Sequence, residues 1–167
     1  MPKTWIAAVI CALGVAGCAS SASRPVAQAA PRAAATTPRT VSLKSGFTDD
    51  PYRLELKAGG NVAANTRSSG CTGYIDDTPD LILYFTTGTP AIPLYIFAYS
   101  DADTTLVVRT PSGTYRCNDD DDLYDTLDPW VTILTPESGT YSIWLGNHTR
   151  GEFPAAKLYI SEVDDDF

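Results

Sequence analysis

Apolar and polar positions alternate over most of the chain beyond residue 40. Arg53-Leu-Glu-Leu-Lys57 puts Leu54 and Leu56 on one side and charged groups on the other, the period-two signature of a half-buried strand. Residues 81–86, 94–99, 105–109, 131–134, 141–145 and 157–161 either alternate in the same way or are continuously apolar, and 40–43 is a candidate leading strand. Turn residues separate these runs at Gly59-Gly60, Ser69-Gly70, Pro111-Ser-Gly113, Pro136-Glu-Ser-Gly139 and Gly146-Asn147. No stretch of ten residues carries a helical face. The pattern predicts an all-β fold without internal repeat: an antiparallel β-sandwich of about eight strands in residues 41–167.

The first forty residues have a different character. Lys3 precedes an apolar run from Ile6 to Gly17, too short to span about 30 Å of hydrocarbon but of the length of a signal-peptide core. The run ends in Val15-Ala-Gly-Cys18, which resembles the bacterial lipobox. That resemblance implies cleavage after residue 17, lipidation of Cys18, and export to the cell envelope, with Ala19 in the second position suiting the outer membrane. The alternative is an ordinary secretory signal with an incidental Cys. Residues 18–40 are rich in Ala, Pro, Ser, Thr and Arg and offer almost nothing to bury, so they read as a flexible linker.

Charge separates the two parts further. All twenty Asp and Glu lie in residues 41–167 against eight Lys and Arg, giving that domain a charge of −12. No basic stripe exists to neutralise phosphates, which argues against a nucleic-acid partner. Two cysteines remain once the signal and Cys18 are set aside, and in an exported β domain Cys71 and Cys117 are expected to pair. The only imidazole is His148, and no Gly-x-Ser-x-Gly elbow is present, so nucleophilic catalysis finds no support. Zinc held by several His or Cys is excluded by count.

Acidic groups concentrate at Asn118, Asp119, Asp120, Asp121 and Asp122, followed by Asp125 and Asp128. Adjacent carboxylates repel one another, and hard oxygen ligands in a loop suit Ca²⁺. A strand out to the Pro-Ser-Gly turn and a strand back would return Asn118 toward Asp101 and Asp103. The candidate calcium ligands are therefore Asp101, Asp103, Asn118, Asp119, Asp120 and Asp122; the competing reading is a hydrated acidic loop. Asp164 to Asp166 read as a solvated tail. Trp144 alternates out of phase with Tyr141, Ile143 and Leu145, so it points away from the sandwich centre, and Trp130 has no assignable register. Both are candidate ligand-binding platforms for sugar or peptide; the alternative is packing under a loop.

Several segments resemble the bacterial pre-peptidase C-terminal domain. They are Gly46-Phe-Thr-Asp-Asp-Pro-Tyr-Arg-Leu-Glu-Leu-Lys-Ala-Gly-Gly60, then Asp103-Thr-Thr-Leu-Val-Val-Arg-Thr-Pro-Ser-Gly-Thr-Tyr-Arg-Cys-Asn-Asp-Asp-Asp-Asp122, then Trp130-Val-Thr-Ile-Leu followed by Ser138-Gly-Thr-Tyr-Ser-Ile-Trp-Leu-Gly146. The resemblance implies a jelly-roll-like sandwich that accompanies secreted peptidases without being the catalyst. Some such domains bind calcium with ligands from the segment leading in, which here leaves Asp49 or Asp50. The expectation is a membrane-anchored, non-catalytic module that binds or localises an envelope protein or polysaccharide. The competing readings are a structural envelope lipoprotein and a hydrolase using its carboxylates.

Overall fold

The computed structural model describes residues 37–120 and 126–164, so Cys18, Asp121, Asp122, Asp125, Asp165 and Asp166 lie outside the described residues. Eleven strands occur in order: β1 Arg39–Lys44, β2 Tyr52–Lys57, β3 Val62–Ala63, β4 Tyr74–Ile75, β5 Leu81–Thr86, β6 Leu94–Ser100, β7 Thr104–Arg109, β8 Tyr115–Asn118, β9 Trp130–Ile133, β10 Gly139–Asn147 and β11 Ala155–Ser161. They form a seven-stranded and a four-stranded sheet. The eight expected strands are all present. The three additional ones, β3, β4 and β8, raise the count above the expected eight. Strand β1 starts at Arg39, slightly ahead of the expected boundary at 40/41.

The larger sheet is built around the nine-residue β10. Its first half pairs antiparallel with β5 from Gly139↔Phe85 to Ile143↔Leu81, and its second half pairs with β7 from Ser142↔Arg109 to Asn147↔Thr104. Strand β8 extends this sheet beyond β7, and β4 with β3 joins where Asn147 meets Tyr74. The smaller sheet has the order β2-β11-β6-β9 and is antiparallel throughout. One pairing departs from the antiparallel expectation: β1 runs parallel to β5, from Arg39↔Leu81 to Lys44↔Thr86. Between β1 and β5 the chain crosses to the other sheet for β2 and then forms β3 and β4, so no hairpin dictates their relative direction.

Alternation generates the core. Leu81, Leu83, Phe85, Leu106, Val108, Tyr141, Ile143 and Leu145 from the larger sheet meet Leu94, Ile96, Ala98, Val131, Ile133, Leu158 and Ile160 from the smaller one. Strand β7 is buried on both faces, because a second apolar cluster lies on the outside of the larger sheet. There Ala64, Cys71 and Ile75, from the excursion between β2 and β5, cover Val107 and Trp144, with Tyr115 and Cys117 beside them. The Cys71–Cys117 disulfide fastens this cover to β8, with the two Cα atoms 5.3 Å apart.

Gly146-Asn147 ends β10 and is not the turn that composition predicts. A Cβ on Gly146 would stand 2.5 Å from the Tyr74 carbonyl oxygen and 2.8 Å from Ile75 Cγ2, so glycine here permits close passage of β4. Beyond the end of β5, one edge of β10 is completed by a side chain. Asp80 Oδ2 accepts from the Leu145 amide at 2.9 Å, and the Gly59 amide donates to the Leu145 carbonyl at 2.9 Å.

Candidate functional site: the aromatic face of the smaller sheet

The outward positions of the smaller sheet hold a row of aromatic rings. In the ladder, Trp130 on β9 faces Phe97 on β6, Phe97 faces Tyr159 on β11, and Tyr159 faces Arg53 on β2. Cross-strand neighbours on one face are close enough for their rings to meet. Trp130 stacks on Phe97 with centroids 4.2 Å apart and planes 12° apart, and Phe97 stacks on Tyr159 at 5.1 Å and 2°. Tyr95 leans on Trp130 at 6.0 Å, and Tyr99 meets both Phe97 at 5.7 Å and Tyr159 at 5.5 Å. Phe97 is fully buried although it lies on the outer face, while Trp130, Tyr99 and Tyr159 are part-exposed.

The stacking decides what this face can offer. Both faces of Phe97 are covered, one by Trp130 and one by Tyr159, while Trp130 and Tyr159 each have one face in the stack. Beside Tyr99 is a cleft of about 370 Å³, lined also by Glu55, Leu56, Ser100, Asp101, Ala155, Ala156 and Lys157. Its charges have both signs. Arg53, at the far end of the row, is ion-paired with Glu55 at 2.6 Å, an exposed pair that orients more than it stabilises. Burial holds the Tyr95 phenol above its usual pKa, and the neighbouring Asp164 carboxylate adds to the effect.

No family model and no curated protein matches this chain. It is similar to the crystal structure of a periplasmic inhibitor of g-type lysozyme from Aeromonas hydrophila, at 13% identity and a TM-score of 0.40, over 75% of this chain and 98% of that one.

The expected site residues are dispersed. Trp130 is in the aromatic row, and its register follows from β9. Trp144 does face outward from the larger sheet, but it is only 5% exposed beneath the 64–75 cover, with the Arg67 guanidinium 5.5 Å from the ring centroid. It is packed under a loop and presents no open platform. The β7–β8 hairpin does bring Asn118 back beside Leu106, near Thr104.

Asn118 Oδ1 accepts from the Trp130 amide at 2.7 Å, and Asp119 accepts from the Thr72 hydroxyl. Asp103 faces His148, with Oδ2 and Nδ1 3.7 Å apart, whereas Asp101 lines the cleft beside Tyr99. Asp120 is exposed, and Asp122 is outside the described residues. Among the described residues no three His, Cys, Asp or Glu side chains are gathered around a common point that could hold a metal ion. The structure thus ties Asn118 and Asp119 to neighbouring strands and loops.

Asp80 and the row partners Phe97, Tyr99 and Tyr159 escaped the sequence reading. The available signal was Leu94-Tyr-Ile-Phe-Ala-Tyr99, in which three aromatics share one phase while Leu94, Ile96 and Ala98 share the other. An apolar run buried on one face and aromatic on the other looks continuous in a one-dimensional pattern.

Proposed function

We propose that this protein is an exported, lipid-anchored module without catalytic activity, which holds a protein partner at the cell envelope through the aromatic face of the smaller sheet. The observation that carries the reading is the Trp130–Phe97–Tyr159 row with Tyr95 and Tyr99 beside it. Tyr and Trp are enriched at protein interfaces, where they contribute large contact area at small cost in side-chain freedom. The charge of −12 on residues 41–167 favours a partner with a basic surface.

Other features support the remaining parts of the reading. Val15-Ala-Gly-Cys18 and the linker after it support a lipid tether. The segments resembling the pre-peptidase C-terminal domain fall on β2, on the β7–β8 hairpin and on β9–β10, which supports that likeness.

The test is capture from an envelope fraction by the immobilised exported protein, followed by identification of what is retained. A protein retained by the wild type and lost at least about tenfold with Tyr99→Ala or Tyr159→Ala, about 1.4 kcal/mol, is the expected result. Equal retention by both variants would remove the aromatic face from the proposal.

A further inference from the structure

The outer face of the larger sheet is covered only in part. Alternation turns Val41, Leu43, Leu83, Phe85, Tyr141 and Ile143 into the core, so the residues between them on β1, β5 and β10 point outward. The 64–75 cover lies over Val107 and Trp144, and the outward residues of β1, β5 and the first half of β10 are exposed or half-buried. In register they form rows. Thr40, Ile82, Ser142, Arg109 and Tyr115 cross five strands, and beside them Ser42, Tyr84 and Thr140 cross three. Lys44 and Thr86 begin a third row.

This face differs in chemistry from the domain that carries it. The seven strands of the larger sheet contain no Asp or Glu, although residues 41–167 carry −12. The charges on the open face are Lys44 and Arg109, both exposed. Acids from the adjoining loops are engaged elsewhere. Asp80 accepts from the Leu145 amide, Asp77 pairs with Arg67 at 3.0 Å, and Glu137 lines a separate groove with Arg116 and Thr132. Tyr84, in the middle row, is 50% exposed, and its ring meets no other ring among the described residues. Ser42 and Thr140 flank it in the ladder, and Thr40, Ser142 and Thr86 are in the adjoining rows. Among the described residues none of these five hydroxyls is hydrogen-bonded within the chain.

We infer that this face is a second binding site, on the opposite sheet from the aromatic row, for a linear acidic polysaccharide. The open ring of Tyr84 offers an apolar surface on which the C–H face of a sugar can stack, with a phenol at its wet end. The five free hydroxyls can donate to and accept from sugar hydroxyls without breaking internal bonds. Arg109 and Lys44 supply partners for carboxylates, with the guanidinium able to hold one in bidentate fashion. Strand and residue spacings put their Cα atoms about 20 Å apart, on either side of Tyr84. A chain laid along that diagonal meets a cation, a ring and a second cation in turn, which a small ligand could not span. Among the described residues Glu55, in the smaller sheet, is the only acid within a strand, so the −12 belongs mainly to loops. At physiological ionic strength those loop charges are screened beyond about 8 Å, and a thin chain on the open face meets the local positive sign. A membrane or a broad protein surface would meet the acidic loops as well.

Calorimetric titration of the exported protein in detergent with an oligogalacturonate, and with the uncharged galactose oligomer of equal length, tests this. The expected result is saturable binding of the acidic oligomer that weakens as salt is raised to about 0.5 M. The uncharged oligomer should bind at least about tenfold more weakly, about 1.4 kcal/mol. Tyr84→Ala and Arg109→Glu, both at exposed positions, should each weaken the acidic oligomer at least about tenfold with near-ultraviolet circular dichroism otherwise preserved. Tyr99→Ala, on the other sheet, should leave its binding unchanged. No binding at about 1 mM overturns the inference, as does equal affinity for the two oligomers. Binding indifferent to both Tyr84→Ala and Arg109→Glu overturns it too. Co-sedimentation with phosphatidylglycerol vesicles that needs Tyr84 and Arg109, in a protein that ignores the oligomer, would give the face to a membrane instead. Partner capture is read through Tyr99 and Tyr159, so either idea can fail alone.

Discussion

Removing the disulfide tests whether the cover over the larger sheet is held by the covalent link or by its own packing. Cys71 and Cys117 are 46 residues apart, and the loop they close contains β4 to β7. Cross-linking a loop of that length removes about 4 kcal/mol of conformational freedom from the unfolded chain on the chain-entropy account. The domain of residues 41–167 unfolds with an entropy of about 0.27 kcal/mol/K at the usual value per residue, so this loss lowers its melting temperature by about 15 °C. The Cys71→Ala/Cys117→Ala protein should therefore melt about 15 °C below the wild type with far-ultraviolet circular dichroism preserved, since the main core of Leu83, Ile96, Ile143 and Leu158 is made without either cysteine. Scanning calorimetry in oxidising buffer gives the measurement. Wild type melted in reductant should approach the variant. A variant melting within about 3 °C of the oxidised wild type would refute the argument, because less than about 1 kcal/mol would then rest on the link.

Two further outcomes follow from the strand edges and the buried acid. Asp80→Ala leaves the Leu145 amide without its acceptor on β10 and should cost about 2 kcal/mol in urea unfolding; a loss below about 0.5 kcal/mol would mean that water replaces the carboxylate freely. Asp128 accepts from the Ser100 amide, yet burial raises its pKa above 3.8, so its ionisation opposes folding as pH rises from 3.8 through the folded value. Asp128→Asn keeps an acceptor for Ser100 and should gain stability over the wild type at neutral pH. The gain should vanish below about pH 3.8, where the carboxyl is neutral in both states; an Asn variant less stable than wild type at pH 7 would reverse the sign.

Much of the sandwich was legible because strand alternation is a local property. Leu54 and Leu56, or Tyr141, Ile143 and Leu145, declare their buried face in five residues, and the folded chain buries those faces. Strands β3 and β4 were not legible. Each has two residues and exists only because β10 and the disulfide-held cover give it something to pair with. Gly146-Asn147 carries the composition of a turn, but its conformation answers to the Tyr74 carbonyl passing overhead, from a segment more than seventy residues away in sequence.

The candidate site divides in the same way. The sequence by itself determined the acidic charge, the two cysteines able to pair, the lone histidine and the phase of each alternating strand, because these depend on residue identity or on neighbours along the chain. Which outward aromatics meet was decided only by the tertiary structure. Trp130, Phe97 and Tyr159 come from three strands whose order in the smaller sheet, β9-β6-β11, is not their order in the chain. Trp144 has an outward phase as well, yet it is closed off by residues from another part of the chain, whereas Trp130 joins a row. Phase along a strand is set by the two-residue repeat of the backbone; what stands opposite each outward side chain is set by long-range pairing, and no local pattern encodes it.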